Sequence, residues 1–240
     1  MSPFIIHLTY LAAVMFIIGV IGTLALYRFK FDEFAQSGLA LKIIVWIPLW
    51  VIYILGAYFL FNIFISLIIG FSLIETFWEN RRAHFSPRLF YSVLFIVGIG
   101  LFAVFVEQSP NPAVMALSLL AACALSDITA FFVGHLFGYH SLPKSINQKK
   151  SWEGVFGQLL GGAVGMERIR TLGAVGVSIG IALSVGFGSA LGDMVNSFFK
   201  RATNVTRWSN YIPGHGGVGD RFASIAGTGY FLMLVKIILH

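Results

Sequence analysis

Long apolar runs are the feature that most restricts how this 240-residue chain can fold. A transmembrane helix needs about 20 consecutive apolar residues. The runs Phe4–Tyr27, Leu89–Val106, Ala113–Gly134, Leu172–Gly192 and Phe222–Leu239 meet or approach that length. Charged residues make up only 11% of the chain, whereas a soluble domain carries about 25%. The sequence therefore predicts an all-α, polytopic integral membrane helix bundle.

Two further stretches bring the predicted count to about eight transmembrane helices. Leu41–Trp78 is long enough for two spans with a tight turn near Gly56–Asn62, and Val155–Gly165 needs its flanks to cross a bilayer. We divide this single membrane domain, residues 1–240, into an N-terminal helix array over about residues 1–110 and a motif-bearing half over about residues 111–240. Glycines inside the spans are expected to permit close helix packing.

Basic residues cluster in four short segments between the spans. Cytoplasmic segments are enriched in Lys and Arg, and Glu107–Pro112, which lacks basic residues, would lie on the opposite side. With eight spans the four basic segments fall on one side, which predicts cytoplasmic motif loops and an N-terminus outside. Arg168 and Arg170, beside the short run Val155–Gly165, are the exception. The segments hold Arg28, Lys30 and Lys42; Arg81, Arg82 and Arg88; Lys144, Lys149 and Lys150; and Lys200, Arg201, Arg207 and Arg221.

The net charge of +6 does not indicate nucleic acid as a partner, because the cations are divided among short loops and form no single stripe. An anionic leaflet of the lipid bilayer and an anionic nucleotide are better partners for such loops.

The stretch Ser189–Ser224 carries a concentrated set of charged residues. Its Asp193, Ser197, Lys200 and Arg201 are spaced i, i+4, i+7 and i+8, so on a helix they lie on one face. A glycine-rich loop, P-G-H-G-G, follows and leads into a second Asp-Arg pair at residues 220–221. Carboxylates, fixed cations and backbone amides beside a membrane-length segment suit a phosphate-rich ligand with its divalent metal.

Three carboxylates, Glu75, Asp127 and Asp193, lie within or at the ends of apolar runs. An ionisable group in such a run costs a few kcal/mol, so it usually faces a partner or a water-filled cavity. We interpret Asp193 and Asp127 as functional. For Glu75 a functional role and an ordinary interfacial helix end are equally compatible with the sequence, since Arg81 and Arg82 follow it.

The order of these residues resembles the phosphatidate cytidylyltransferase (CDP-diacylglycerol synthase) family. S-F-F-K-R followed by P-G-H-G-G-V-x-D-R is similar to the family signature, and D-I-T-A from Asp127 and K-K-S-W-E-G from Lys149 resemble two upstream motifs. The resemblance implies a Mg²⁺-dependent nucleotidyltransferase that uses CTP and phosphatidate, or a related lipid phosphate, in phospholipid biosynthesis. It also implies a bacterial plasma (inner) membrane protein with a cytoplasmic active site.

The resemblance assigns roles residue by residue, with Asp193 and Asp220 as the metal ligands. No general base is assigned, because a lipid phosphate with a second pKa of about 6 is already largely dianionic at neutral pH. The expected catalytic residues are Asp193, Lys200, Arg201, Asp220 and Arg221. The expected substrate-binding residues are Asp127, Lys149, Lys150, Trp152, Glu153, Ser197, His215, Gly216 and Gly217, with the amides of the last two expected to hold a phosphate.

Three positions depart from the family pattern. Thr206 and Arg207 stand where the family has Lys-Asp, and Ala223 replaces a final Asp. These departures keep open a CTP-dependent transferase for another lipid phosphate or a lipid alcohol, and a degenerate paralogue that binds lipid or a partner protein without catalysis. A transporter accounts for the buried carboxylates but not for the glycine-rich loop. A homodimer is compatible with the sequence.

Overall fold

The chain forms an all-helical bundle in the computed structural model, which describes residues 16–17, 19–25, 28, 30, 32, 34, 38–77, 85–171 and 179–239. After helical residues 19–25 the helices are α1 Gly38–Phe59, α2 Phe61–Phe77, α3 Phe85–Glu107, α4 Pro112–Phe137, α5 Trp152–Thr171, α6 Ile179–Ala202, α7 Val218–Arg221 and α8 Ala223–Leu239. In this part of the chain extended pairing is limited to two isolated bridges, Ser141–Ser151 and Ile212–Gly216. The predicted all-α class is confirmed.

Four of these helices are long and apolar enough to cross a membrane: Leu39–Phe59, Ser86–Glu107, Pro112–Phe137 and Ile179–Ala202. Helices α2 and α8 are apolar but shorter. A polytopic membrane bundle is therefore confirmed, whereas the count of eight spans and the division near residue 110 stay predictions. Most of the first predicted run, Phe4–Tyr27, lies outside the described residues, as do Arg81 and Arg82.

Local sequence accounts for several helix ends. Only Leu60 separates α1 from α2, which confirms the predicted tight turn within Leu41–Trp78. Asn111 caps α4 by accepting a hydrogen bond from the Val114 amide at 3.3 Å. Pro112 follows the cap, where its missing N–H is not needed. Helix α5 extends the short run Val155–Gly165 on both sides.

Helix α6 differs in length from the apolar run that predicted it. The run ends at Gly192, but the helix continues to Ala202, so Asp193, Ser197, Lys200 and Arg201 lie on its C-terminal turns. The segment before Ile179 lies outside the described residues. The same helix therefore enters the apolar bundle and carries the charged residues of the motif.

Glycines allow the helices of the motif-bearing half to pack closely. Helix α4 packs along α5, α6 packs along α8, and α3 also contacts α8. A Cβ at Gly161 of α5 would overlap Thr129 of α4, and one at Gly188 of α6 would overlap the backbone of Thr228 in α8. The predicted role of span glycines in helix packing is confirmed at these contacts. Gly100 differs, because nothing lies within 4 Å of its Cβ position.

Candidate active site

Two aspartates from different helices share one set of hydrogen-bond donors. Gln158 Nε2 of α5 donates to Asp127 Oδ1 at 3.0 Å and to Asp193 Oδ2 at 3.3 Å. Ser224 Oγ of α8 donates to Asp127 Oδ1 at 2.9 Å and to Asp193 Oδ1 at 3.4 Å. Lys150 Nζ, from the loop before α5, donates to Asp193 Oδ2 at 2.8 Å. We call these five residues the two-aspartate group.

The charge of Lys150 is maintained by this group. Burial opposes the ammonium, but the Asp193 and Asp127 carboxylates outweigh that effect and raise the pKa of Lys150 above its ordinary value. The Lys150 and Asp193 side chains remain 37% and 21% exposed, so a ligand can reach them. Sequence reasoning missed Gln158 and Ser224. The one signal for Gln158 is its position as the polar residue within the short apolar run Val155–Gly165.

Asp220 belongs to a different hydrogen-bonded arrangement. Its Oδ1 pairs with Lys200 Nζ at 2.5 Å, and its Oδ2 accepts from the Trp208 and Gly217 amides at 2.9 and 3.0 Å. Asp220 is the third residue of α7, from which a carboxylate reaches back to the N-cap amide. The structure thus pairs Asp193 with Asp127, whereas the sequence paired it with Asp220. Local capping geometry is the reason, since it directs the Asp220 oxygens to the loop and Lys200.

Glu75 holds the start of α7 from the opposite side. Its Oε1 accepts from Ser209 Oγ at 2.8 Å and from the Val218 amide at 2.5 Å, and its Oε2 accepts from the Gly219 amide at 3.0 Å. The residue is only 4% exposed. A carboxylate at a helix N-terminus satisfies orphan amides and complements the helix dipole. Of the two interpretations left open for Glu75, neither anticipated this capping contact across 143 residues of sequence.

The glycine-rich loop turns its amides inward. Gly216 N donates to the Ile212 carbonyl at 3.0 Å, and Gly217 N donates to Asp220 as described. Gly214 and Gly216 adopt positive φ angles of 73° and 86°, a region that favours glycine. The two amides that the sequence assigned to phosphate binding therefore donate within the protein.

An apolar cavity of about 260 Å³ opens beside the two-aspartate group. Most of its apolar wall comes from α1 and α4, together with Phe16, Gly19 and Val20. One end is polar and is lined by Lys42, Asp127, His215, Arg221 and Ser224. The cavity thus joins an apolar space to the two-aspartate group, because Asp127 and Ser224 belong to both.

The polar end of the cavity carries positive charge. Arg221 Nε is buried with no hydrogen-bond partner in the described part of the chain. Burial, together with the charges of Arg221, Lys42 and Arg207, lowers the pKa of His215 below its ordinary value, although the Pro213 carbonyl partly opposes this. This lowering favours the neutral form of His215, and Lys42 and Arg221 are the cations at this end of the cavity.

The remaining predicted site residues belong neither to the two-aspartate group nor to the hydrogen bonds around Asp220. Arg201 Nη1 donates to the Val205 carbonyl at 3.3 Å and closes the end of α6. Glu153 accepts hydrogen bonds from His140, which lowers the pKa of Glu153. Lys149 is exposed, Trp152 is 50% exposed and Ser197 is buried.

The three positions that depart from the motif differ in solvent exposure. Thr206 and Arg207 are exposed. Ala223 is 2% exposed, and its carbonyl lies against Gly192 where α8 meets α6. Position 223 therefore lies at the packed contact beside Asp193.

Fold and site together define an integral membrane protein with a charged site open to an apolar cavity. The chain belongs to the cytidylyltransferase family, whose family model matches residues 1–239.

Its relatives include proteins named phosphatidate cytidylyltransferase. That of Pseudomonas aeruginosa is 35% identical over 131 residues, covering 52% of this chain and 48% of the relative. That of Mycobacterium tuberculosis is 36% identical over 125 residues, covering 50% and 38%. That of Brucella abortus is 28% identical over 166 residues, covering 68% and 60%. The chain thus spans about half the length of the curated relatives it matches.

Proposed function

We propose that the protein is a CTP:phosphatidate cytidylyltransferase that makes CDP-diacylglycerol and pyrophosphate. The observation that carries this proposal is the shared wall of the cavity and the two-aspartate group at Asp127 and Ser224. A lipid whose chains occupy the apolar cavity has its headgroup beside Asp193 and Lys150. Family membership and the names of the relatives support the same reaction.

The reaction joins two polyanions. An oxygen of the lipid phosphate forms a bond to the α-phosphorus of CTP, and the bond from that phosphorus to the β-phosphate oxygen breaks, which releases pyrophosphate. The attacking phosphate needs no base, because its second pKa is about 6. Catalysis then rests on positioning and on cations that stabilise the charge of the transition state. Lys150, Lys200 and Arg221 are the cations that we assign to this role.

Mg²⁺ fits the two-aspartate group. Gln158 and Ser224 hold Asp127 through Oδ1 alone, and no donor from the described residues reaches Oδ2. These residues contain no group of three His, Cys, Asp or Glu side chains arranged around one point, and Mg²⁺ typically uses one or two carboxylates plus substrate phosphates. Asp127 and Asp193 would hold the ion, which supplies charge neutralisation for the departing pyrophosphate. Asp220 was the second metal ligand expected from the motif, but its carboxylate is engaged by the loop amides and Lys200.

Product formation from labelled CTP tests the proposal. Purified protein in an uncharged detergent is incubated with CTP and phosphatidate, with Mg²⁺ or with EDTA, and CDP-diacylglycerol and pyrophosphate are quantified together. We expect both products in equal amounts, only with Mg²⁺ and only with phosphatidate present. The same amount of product in EDTA as in Mg²⁺ contradicts the assignment of Mg²⁺. Pyrophosphate release with a lipid alcohol but not with phosphatidate identifies a different transferase.

A lipid-binding paralogue without catalysis is the second candidate. It is favoured because Lys150 and Lys200 each pair with a carboxylate of the motif, and because Ala223 replaces the final Asp. A folded sample that binds phosphatidate but releases no pyrophosphate supports this candidate over the enzyme.

A further inference from the structure

Lys42 lies far from the family motifs in sequence but at the polar end of the cavity in space. It is near the start of α1 and lines the cavity together with Arg221 and His215. Its Cγ lies 3.3 Å from the Cβ position of Gly214, so its aliphatic stem packs on the glycine-rich loop. From the sequence, Lys42 was predicted only to be one of the basic residues of a cytoplasmic segment.

Charges at this end of the cavity are not balanced. No carboxylate or other acceptor within the described residues pairs with the Lys42 ammonium, and Arg221 Nε is likewise without a partner. The lowered pKa of His215 favours its neutral form. Asp127 is the carboxylate of the lining and already accepts from Gln158 and Ser224. Two cations against one engaged carboxylate favour an anionic ligand.

The neighbouring wall of the cavity is apolar and indicates the chemistry of the rest of that ligand. Trp46, Trp50 and Phe131 are among the residues that make it apolar, which suits an acyl chain. Trp50 Nε1 is buried without a hydrogen-bond partner in the described part of the chain. A ligand with a phosphate at one end and acyl chains at the other suits both the cations and the apolar wall.

We propose that Lys42 binds the phosphate of the lipid substrate and makes the cavity selective for a lipid phosphate over a lipid alcohol. This inference rests on the proposed function for the fate of the bound lipid, but not for its binding. Lys42 and Arg221 hold the phosphate where Asp127 joins the cavity to the two-aspartate group. The same lysine therefore places the attacking oxygens next to the site of nucleotidyl transfer.

Tryptophan fluorescence provides a binding test without CTP. Acyl chains carrying bromine quench tryptophans that they touch, and Trp46 and Trp50 line the cavity. Brominated phosphatidate, diacylglycerol and phosphatidylglycerol are titrated into the protein in an uncharged detergent. We expect phosphatidate to reach half-maximal quenching at a concentration about 10- to 100-fold below that for diacylglycerol, the range for a hydrogen bond to a charged group. Replacement of Trp46 and Trp50 by Phe should remove the saturable quenching.

Variants at Lys42 locate the selectivity. Lys42→Gln should lose most of the preference for phosphatidate over diacylglycerol, because Arg221 alone remains to hold the phosphate. Lys42→Arg should keep most of the preference, and Lys144→Gln, at an exposed loop lysine, should behave as the parent. Unchanged phosphatidate binding in folded Lys42→Gln overturns the proposal. So does phosphatidylglycerol binding as tightly as phosphatidate, since that result makes Lys42 a general contact for anionic lipid.

Steady-state kinetics separate the lipid from the nucleotide. Lys42→Gln should raise KM for phosphatidate about tenfold or more and leave KM for CTP within about twofold of the parent. A rise confined to KM for CTP assigns Lys42 to the triphosphate and overturns the proposal. If the parent turns over no CTP, the proposed function fails, while the quenching result still decides whether Lys42 binds a lipid phosphate.

Discussion

Asp193 and Lys150 form a partly exposed ion pair at the centre of the candidate site. Substitution of Asp193 should therefore lower activity. Asp193→Asn keeps the shape of the side chain but removes the charge that would hold a cation. We expect activity to fall on the order of 100-fold, whereas Lys149→Ala, at an exposed neighbour, should lower activity only a few-fold. The measurement is pyrophosphate release at matched amounts of folded protein. Activity of Asp193→Asn within about twofold of the parent removes Asp193 from the site.

Glu75 should matter for stability. Glu75→Gln replaces one acceptor oxygen by an NH₂ group, which cannot accept from the Val218, Gly219 or Ser209 donors. Leaving a buried donor unsatisfied costs about 1–3 kcal/mol, so thermal unfolding in detergent should shift to lower temperature. Glu107→Gln, at an exposed helix end, is the matched control and should unfold as the parent does. Equal transitions for the two variants contradict the capping role.

His215 should make stability depend on pH in the acidic range. Its pKa is lowered in the folded protein by burial and by Arg221, Lys42 and Arg207, so protonation favours the unfolded chain. The stabilising contribution is therefore complete above the unfolded value of about 6.5 and is lost as the pH falls below it. The difference in unfolding temperature between pH 7.5 and pH 5 should be smaller for His215→Gln than for the parent. An identical difference assigns the acid sensitivity to other groups.

At the scale of elements, the contact between α6 and α8 positions Asp193 and Ser224 of the two-aspartate group. Gly188→Ala places a Cβ against the Thr228 backbone, and such overpacking typically costs about 1–3 kcal/mol. We also expect lower activity, because separating the helices moves Ser224 from Asp193. Gly100→Ala is the control: its Cβ position is open, and alanine favours a helix by up to about 1 kcal/mol. Unfolding temperature and activity are compared for the two variants, and equal effects contradict the packing role.

At the scale of the whole molecule, the distribution of Lys and Arg predicts the orientation in the membrane. The loop before α5 should be cytoplasmic and the segment between α3 and α4 should lie outside. A cysteine at Ser145 should react with an impermeant maleimide only after the membrane is opened, and one at Glu107 should react in intact cells. Cys123 is buried and adds little background. Labelling of position 145 from outside reverses the orientation and separates the site from cytoplasmic CTP.

Hydrophobicity and local spacing were sufficient to predict much of this protein. The apolar runs predicted the all-α membrane class and the break between α1 and α2, because membrane insertion depends on the composition of each segment by itself. The spacing of Asp193, Ser197, Lys200 and Arg201 placed them on one helix, and glycines within the runs indicated close packing. These properties are local, so one segment of sequence contains the information for each.

Only the tertiary structure decided which of the charged residues meet. Asp193 and Asp127 come together because α4, α5, α6 and α8 pack through their glycines, and no spacing along the chain specifies that contact. The loop amides and Lys200 hold Asp220, and Glu75 caps α7. Lys42, near the N-terminus, lines the cavity together with His215 and Arg221, which are far from it in sequence. Each of these contacts depends on the relative position of distant helices, and that position is determined by packing and hydrogen bonding of the whole bundle.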